Sequence, residues 1–438
     1  MAARPMEARR GSHPRPHRRA GLLVDAPSAG AGGSGMTAGS GHDVRVAEGV
    51  RPIARLRGLR YVPLVMLVVI AIVLTIVGFV TQRQLQAGWD AEAAPVALPD
   101  EVAPSTLAAS CTPAVEQPEP QPWLSGDADR ITAATAEWDA HAGEIAQPWI
   151  QGQDGMVFWS DVQALNMSQA VGRRVLSQAE IDTWASFVGT LEADLAAQGI
   201  ELYVTIAPAK WDVYPELLPE WMQQIRGSGP FDQLLALHPE LPWVDVRQTL
   251  RDAAGTAPVF PDTNSHWTDY GAAVAWQQMA TCMADSSPAL AGLTPPTIVD
   301  TVAEEPSNEF EQYGVPASDD FVAPVLAEPL GPVEVTAADG SVQTYAGDQA
   351  MGFDPLPATT SNPAAQLDMT ALILRDSMGT ALAPYWHDAF RETVQVRHNV
   401  DAPSTIPDIG ALVEEHQPEV VILEIAQRHL TFPPPAQP

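Results

Sequence analysis

The sequence predicts an α/β fold in which a doubly wound, mostly parallel sheet is flanked by helices and preceded by one transmembrane helix. Apolar, β-branched runs alternate with helix-forming segments along most of the chain, and a separate uncharged run lies nearer the N-terminus. Strands that alternate with helices pair in parallel, because each helix returns the chain to the same edge of the sheet.

One helix has clear signals at both ends. Ser177 and Glu180 match a capping box, and Gly199 is a natural C-terminal stop. Apolar residues recur at helical spacing between them. The segment that follows, Glu201–Ala207, is apolar and β-branched, which predicts a buried strand.

The remaining elements follow from the same patterns. Strands are predicted at residues 155–159, 201–207, 241–246, 371–375, 393–397 and 419–425. Helices are predicted at residues 127–142, 269–284, 378–390 and 407–416, the last with Pro407 at its first position. Residues 286–368 are Pro-rich and irregular, with short strands near 332–346, and are interpreted as an insertion.

Residues 61–82 are predicted to form the transmembrane helix. Tyr61–Val80 carries no charge and is long enough to cross a hydrocarbon core of roughly 30 Å. A signal peptide or a buried helix is the alternative. A signal peptide has a shorter apolar region nearer the first residue, and a helix in a soluble core is rarely apolar all round.

The charge distribution predicts the orientation of this segment. Residues 1–60 carry eleven Arg against four acidic residues, whereas the whole chain has a net charge of −31. Basic flanks stay in the cytoplasm. The chain is therefore predicted to sit in the cell membrane, with a disordered basic cytoplasmic tail (1–60), an Ala/Pro-rich stalk (83–126) and an extracytoplasmic domain (127–438).

The same charge limits the partners. Nucleic acid is excluded, because binding its phosphates requires Lys and Arg. An acidic domain also repels anionic polymers at long range, although a local basic cleft could still bind them. The two cysteines, Cys111 and Cys282, both fall on the extracytoplasmic side, where a disulfide between them is predicted.

Ser377 is the candidate nucleophile. It follows the predicted strand 371–375 directly and precedes a helix pattern, so it lies at the carboxyl edge of the sheet, where ligands of open α/β sheets bind. Backbone N–H groups at such a turn can stabilise an oxyanion. Capping of the following helix is the alternative role for this serine.

His266 is the candidate base. It lies in the polar loop Phe260–Ala272, with Asp262 and Asn264 just before it. A histidine can take the proton of a serine when another group fixes its tautomer. A surface role or a packing role is the alternative.

Taken together, five segments resemble the SGNH hydrolase-like alginate O-acetyltransferase family (AlgX/AlgJ-like) over about residues 150–430. They have the order of that family's motifs, at Gln151–Trp159, Val204–Pro219, His266–Gly271, Asp376–Gly379 and Pro418–Leu430. The resemblance implies an SGNH-like fold, with Ser377 as nucleophile, His266 as base, and an acid two residues before the histidine.

Two positions depart from the family pattern. Asn264 stands where the family has its acid, so either Asn264 or Asp262 is expected to orient His266, and Asp262 is favoured because it is charged. Arg375 replaces the glycine before the Asp-Ser pair and adds bulk and charge there. Arg375, Lys210 (the only lysine) and Trp267 are weaker candidates for substrate binding.

The resemblance implies a membrane-anchored, extracytoplasmic O-acetyltransferase that modifies a cell-surface or secreted polysaccharide. A multi-spanning membrane acyltransferase would supply the acyl group. No metal or nucleotide cofactor is expected, because the sequence has no ligand cluster and no Gly-rich phosphate loop. A carbohydrate esterase with the same Ser-His site, and a non-catalytic glycan-binding or assembly protein, are the alternatives.

Overall fold

The structure is a computed structural model that describes residues 66, 96, 98–99, 103–116, 118, 121–402 and 405–434. The predicted tail, nearly all of the predicted transmembrane segment and parts of the stalk lie outside these residues, so they stay predictions. No helix within the described residues is long and apolar enough to cross a membrane. All elements below lie in the unit Phe79–Pro438.

An eight-stranded mixed sheet forms the centre of this unit, with strand order β4-β3-β12-β10-β11-β9-β7-β8. The twelve strands are β1 Trp149–Gln151, β2 Val157–Trp159, β3 Glu201–Ala207, β4 Trp243–Val244, β5 Ile298–Ala303, β6 Val322–Leu326, β7 Val333–Thr336, β8 Val342–Tyr345, β9 Ala358–Ser361, β10 Leu367–Arg375, β11 Phe390–Arg397 and β12 Val420–Ala426. The first five strands of the sheet order pair in parallel. The other three add antiparallel pairs.

Helices cover the sheet and connect its parallel strands. They are α1 Ala128–Ala140, α2 Ala142–Ile145, α3 Asn166–Ala170, α4 Gln178–Ala196, α5 Lys210–Val213, α6 Glu220–Gln224, α7 Pro230–Leu237, α8 Arg247–Ala254, α9 Asp269–Ser286, α10 Ala383–Ala389 and α11 Ile409–His416. Single 3₁₀ turns include Glu311–Tyr313, Met378–Thr380 and Gln427–Thr431.

The sheet is buried on both faces, as its apolar strands require. Along β10, Ala371 and Ile373 pack into one hydrophobic cluster, whereas Leu372 and Leu374 pack into the other. Successive side chains of a strand point to opposite faces, so a strand between two cores is apolar throughout. The predicted α/β architecture is therefore present.

The insertion differs most from its prediction. Residues 286–368 supply β7, β8 and β9, which extend the parallel strands with an antiparallel edge. The sheet is therefore mixed rather than mostly parallel: β9 joins β11 in the antiparallel direction because the chain reaches it without a crossover helix. β5 and β6 form a separate two-stranded ribbon.

Smaller differences occur at the ends of elements. The strand predicted at 241–246 is only Trp243–Val244. The helix predicted from Pro407 begins at Ile409, because the Asp408 side chain caps it by accepting from the Ala411 N–H. The capping box of Ser177 and Glu180 is present at the start of α4.

The predicted disulfide is confirmed and links Cys111 to Cys282. It joins the 3₁₀ turn Ala109–Cys111 to α9, and both cysteines are fully buried. The Asp245 N–H also donates to the Cys111 carbonyl, at 2.8 Å. These contacts attach residues 109–111 to the core of the domain.

Candidate active site

Ser377 lies at the carboxyl edge of the sheet, two residues after β10 ends. The turn is held by the buried Asp376, whose carboxylate accepts from the Met378 N–H at 2.9 Å and from the Ala426 N–H at 2.8 Å. The Nδ1 atom of His429 lies 3.1 Å from the same carboxylate. Asp376 therefore fixes the backbone directly after Ser377 and joins it to the end of β12.

Gly379 is required for this turn to pack. A Cβ atom at this position would lie 2.6 Å from Cδ of Arg375 and 2.9 Å from the ring of Trp386. Neither contact leaves room for a side chain. The glycine of the Asp-Ser-x-Gly segment therefore lets the chain fold tightly over Arg375 directly after Ser377.

His266 reaches the site from the loop before α9. Thr268 caps that helix by accepting from the Gly271 N–H at 3.0 Å. The indole Nε1 of the buried Trp267 donates to the Met378 carbonyl at 2.9 Å. This bond links the histidine loop directly to the serine turn.

The two candidate catalytic side chains are in contact. Nε2 of His266 lies 2.8 Å from Oγ of Ser377, which is hydrogen-bond distance. The His266 side chain is 29% exposed, so the pair can meet a substrate from solvent. A serine in this contact can pass its proton to the imidazole as it attacks.

The other ring nitrogen of His266 faces two oxygen atoms. Nδ1 lies 2.7 Å from Oε1 of Glu309 and 3.0 Å from Oδ1 of Asn264. The Asn264 oxygen also accepts from the backbone N–H of His266, at 2.9 Å. Because both oxygens accept, the ring is held with its proton on Nδ1 and with Nε2 free to accept from Ser377.

Glu309 is held in place by three donors from two segments. In addition to His266, the Ser265 N–H donates to Oε2 of Glu309 at 2.9 Å, and Nε1 of Trp159 donates to it at 3.0 Å. Burial alone would raise the pKa of Glu309, but its hydrogen bonds and the charge of His266 outweigh burial and hold that pKa well below its usual value. Glu309 is therefore a carboxylate at neutral pH.

No hydrogen bond or ion pair joins Asp262 to His266. The carboxyl of Asp262 hydrogen-bonds to that of Asp320, and its pKa is raised by burial and by the charge of Asp320, against the charge of Lys210. The sequence analysis favoured Asp262 as the residue that orients His266 because Asp262 is charged. The geometry gives no support to that role. Asn264 does contact the imidazole and shares that contact with Glu309.

The three candidate substrate-binding residues are buried and bond within the protein. Lys210 donates through Nζ to the carbonyls of Pro261 and Asp262, at 3.0 and 2.9 Å. Burial lowers its pKa to about 7, although Asp262 and two further acids raise it. Lys210 thus supports the loop that leads to His266, just as Trp267 supports the serine turn.

The Arg375 side chain is buried beneath the serine turn, where its guanidinium donates to the Asp376 carbonyl at 3.1 Å. Its guanidinium donates to the Met351 carbonyl at 2.7 Å, the Gly352 carbonyl at 3.0 Å and Oε1 of Gln395 at 3.0 Å. Burial lowers the pKa of Arg375 to about 10, opposed by the charges of Glu424 and Asp376. The arginine therefore ties the insertion to β10 and β11.

Sequence reasoning missed Glu309. It belongs to no motif and lies in the irregular insertion, where neighbouring acids such as Glu304 and Glu311 look equivalent. Asn264 was the one available signal for such a residue. A histidine base that lacks an acid two residues before it needs a carboxylate from another part of the chain. Within the described residues, no group of three or more His, Cys, Asp or Glu is arranged to hold a metal ion.

Comparison with known proteins identifies one family model. Residues 150–349 match the SGNH hydrolase-like domain of acetyltransferase AlgX. This range includes His266 and Glu309 and ends before Ser377. In solved structures, the chain is similar to Bacillus cereus PatB1 with a sulfonyl adduct, at 14% identity and a TM-score of 0.46, over 65% of this chain and 96% of that one.

Two curated relatives carry the description "probable alginate O-acetylase AlgJ". The protein from Pseudomonas fluorescens is 29% identical over 148 residues, which is 32% of this chain and 36% of the relative. The protein from Pseudomonas syringae pv. tomato is 31% identical over 124 residues, which is 25% of this chain and 29% of the relative. The chain thus spans about a third of the length of these relatives, and it resembles the AlgX/AlgJ-like family of SGNH hydrolase-like acetyltransferases, as its motifs predict.

Proposed function

We propose that the protein is an O-acetyltransferase that uses Ser377 to transfer an acetyl group to a hydroxyl of a polysaccharide. The observation that carries this proposal is the 2.8 Å contact between Nε2 of His266 and Oγ of Ser377, at the carboxyl edge of the sheet. The match to an acetyltransferase domain over residues 150–349 supports the reaction class.

The first half of the reaction loads the enzyme. Oγ of Ser377 attacks the carbonyl carbon of the acetyl donor while its proton moves to Nε2 of His266. The bond between the acetyl carbon and the donor oxygen then breaks, and His266 returns the proton to that oxygen. The products are acetyl-Ser377 and the protonated leaving group.

The second half repeats these steps with the acceptor. A sugar hydroxyl gives its proton to Nε2 of His266 and attacks the acetyl carbon. The bond to Oγ of Ser377 breaks, and His266 returns the proton to the serine. The acetylated sugar leaves, and the enzyme is restored without any change in oxidation state.

Glu309 and Asn264 hold His266 for both halves. The carboxylate of Glu309 stabilises the imidazolium that forms each time Nε2 takes a proton, as the acid of a serine triad does. Asn264 adds a neutral acceptor on the same nitrogen. In this proposal Glu309 supplies the charge that the family has at the position of Asn264.

The turn after β10 leaves one amide available for the oxyanion. The N–H groups of Asp376 and Met378 donate to the carboxyls of Glu424 and Asp376, at 3.0 and 2.9 Å. The Ser377 N–H makes no hydrogen bond to any of the described residues. We assign it as a donor to the oxygen that becomes negative during attack.

Membrane anchoring and the acyl supply are further parts of the proposal. The uncharged run Tyr61–Val80, with the surplus of Arg before it, supports a single-pass anchor with the domain outside the cytoplasm. The disulfide between Cys111 and Cys282 suits an oxidising compartment. A multi-spanning membrane acyltransferase would then deliver the acetyl group to Ser377.

The test is acylation of Ser377 in the full chain. Incubation with p-nitrophenyl acetate, with and without a glycan acceptor, should release nitrophenol and add one acetyl group to Ser377, measured by mass spectrometry. Ser377→Ala should abolish both signals, and Ser341→Ala, on an exposed turn, should abolish neither.

The acceptor arm distinguishes the rival functions. Acetylated glycan identifies a transferase, whereas loss of acetyl to water in the presence of every acceptor identifies an esterase. A binding or assembly protein would bind glycan equally well with Ser377→Ala, and its unmodified chain would form no acetyl-Ser377. That result would contradict the enzyme proposal.

A further inference from the structure

A cavity of about 510 Å³ lies outside the Ser-His site, between the insertion and the starts of α9 and α10. Its walls are mainly apolar, and they include Leu326, Pro329 and Pro384. Three carboxyl groups also line it, from Asp269, Glu304 and Asp348. Its volume falls in the range of roughly 300–1,000 Å³ that small-molecule sites occupy.

The cavity is next to the proposed reaction centre. Asp269 follows His266 by three residues, and Ala381, which also lines the cavity, follows Ser377 by four. Three residues of extended chain span at most about 11 Å, and the 3₁₀ turn Met378–Thr380 shortens the other path to roughly 8 Å. The wall of the cavity therefore lies within roughly 11 Å of His266 and roughly 8 Å of Ser377 along these two paths.

The charge of the cavity is uncompensated. No Lys or Arg lines it, while its three carboxyls repel one another. The pKa of Asp269 is raised to about 7, mainly by burial. The charge of Glu304, a hydrogen bond between Glu304 and Asp269, and the charge of Asp348 also raise it. A cation that entered the cavity would relieve this repulsion.

Tyr385 gives a second, independent sign of a ligand site. It lines the cavity and is only 5% exposed, yet its hydroxyl has no hydrogen-bond partner in the described part of the chain. The hydroxyl is therefore available to a polar group of a ligand that enters the cavity. The polar tyrosine and the carboxyls thus share one cavity with apolar walls.

A metal ion does not explain these groups. No three acidic or His side chains in the described ranges are close enough together to hold one. The carboxyls are instead spread over a wall that also offers apolar surface and a hydroxyl. This combination suits an organic cation with several polar groups.

We propose that this cavity binds an amino-sugar residue of the acceptor glycan, with its ammonium group among Asp269, Glu304 and Asp348 and a ring hydroxyl on Tyr385. The inference rests on the proposed function in one respect only, that the neighbouring sugar receives the acetyl group. A uronate sugar would instead bring a further negative charge to these carboxyls, where no basic residue lines the wall.

The test measures binding separately from turnover. Isothermal titration of the full Ser377→Ala chain at pH 7 would compare three trisaccharides: one of glucosamine, one of N-acetylglucosamine and one of mannuronate. We expect the glucosamine trisaccharide to bind at least tenfold more tightly than either of the others. Equal or tighter binding of the mannuronate trisaccharide would overturn the proposal.

Substitutions then locate the ligand. Asp348→Asn and Glu304→Gln should each weaken glucosamine binding at least fivefold, and Tyr385→Phe about threefold. Glu334→Gln makes the same change of charge on an exposed strand of the insertion, outside the cavity, and should leave binding unchanged. If all four variants bind equally, the cavity is not the site.

Failure of this inference is distinguishable from failure of the proposed function. Absence of acetyl-Ser377 in the unmodified chain contradicts the enzyme, whatever the titration gives. Acetyl-Ser377 together with transfer to mannuronate but not to glucosamine upholds the enzyme and overturns the amino-sugar site.

Discussion

Oε1 of Glu309 lies 2.7 Å from Nδ1 of His266, on the side of the imidazole opposite Ser377. The carboxylate comes from an insertion rather than from the histidine loop, and Asn264 stands beside it at 3.0 Å. When the histidine takes the proton of a serine, the imidazole becomes a positively charged imidazolium. A carboxylate on Nδ1 stabilises that charge. Glu309 therefore places a carboxylate on the ring nitrogen that the acid expected at position 264 would have contacted.

Glu309→Gln should lower turnover. The amide keeps the size of the side chain but removes the charge that stabilises the imidazolium, so kcat/KM for p-nitrophenyl acetate should fall about 10²–10⁴-fold. Glu311→Gln makes the same change two residues later, at an exposed position, and should leave the rate within about twofold of the unmodified chain. Equal rates for both variants would remove Glu309 from the mechanism.

Moving the carboxylate to position 264 should restore part of the lost rate. Asn264→Asp alone should slow the enzyme, because its Nδ2 donates to Oγ and the carbonyl of Ser307 and because a second carboxylate would face Glu309. In the Glu309→Gln background the same change supplies the missing charge, and kcat/KM should rise at least tenfold above that of Glu309→Gln. A double variant slower than either single variant would contradict this account.

The parts of the site that sequence reasoning found are those within local patterns. Ser377 directly follows the buried strand β10, and His266 lies three residues before α9, so their neighbours in the chain determine where they lie. Glu309 reaches His266 through a long-range contact from a segment without periodicity, and no local pattern marks it. For the same reason β10 and β12 were predicted, whereas the addition of β7–β9 to the sheet was not.

Arg375 illustrates a second limit. From its position beside Asp376 it was expected to add charge near the nucleophile, but the direction of a long side chain depends on partners far along the chain. Here the carbonyls of Met351 and Gly352 take the guanidinium into the interior. The sequence pattern predicts where the backbone of such a residue lies. It does not predict in which direction the charged end of the side chain points.

Arg375→Met should therefore act on stability more than on chemistry. Removing the guanidinium leaves the buried Gln395 oxygen and two carbonyls without a donor, so the free energy of unfolding should fall by about 3 kcal/mol. Denaturation by urea would measure the loss. The folded variant should keep kcat for p-nitrophenyl acetate within about threefold of the unmodified chain, and a larger loss would place Arg375 in the chemistry.

The disulfide should stabilise the domain. Opening the link between Cys111 and Cys282 frees a long loop in the unfolded chain, and Cys111→Ser with Cys282→Ser should lower the free energy of unfolding by about 2–4 kcal/mol. Peptide mapping without reductant should recover the linked pair from the unmodified chain. Free alkylation of both thiols, or an unchanged urea midpoint in the double variant, would contradict the prediction.

Asp269→Asn should stabilise the protein, and only at higher pH. Burial and the charges of Glu304 and Asp348 raise the pKa of Asp269 from 3.8 to about 7 in the folded state. The folded chain therefore keeps a proton that the unfolded chain loses, so the free energy of unfolding falls as the pH rises from about 4 to 7 and stays low above it. Asn carries no charge and avoids this loss, while it can still donate to Glu304.

The difference between Asp269→Asn and the unmodified chain should grow from near zero at pH 4 to about 3–4 kcal/mol at pH 8. The full shift would give a larger figure, but loss of an acid from the first turn of α9 costs about 0.3–1 kcal/mol and offsets part of it. Urea denaturation at four pH values would measure the trend, with the exposed Asp194→Asn as control. A gain that is the same at pH 4 and pH 8 would mean that Asp269 does not titrate as the geometry requires.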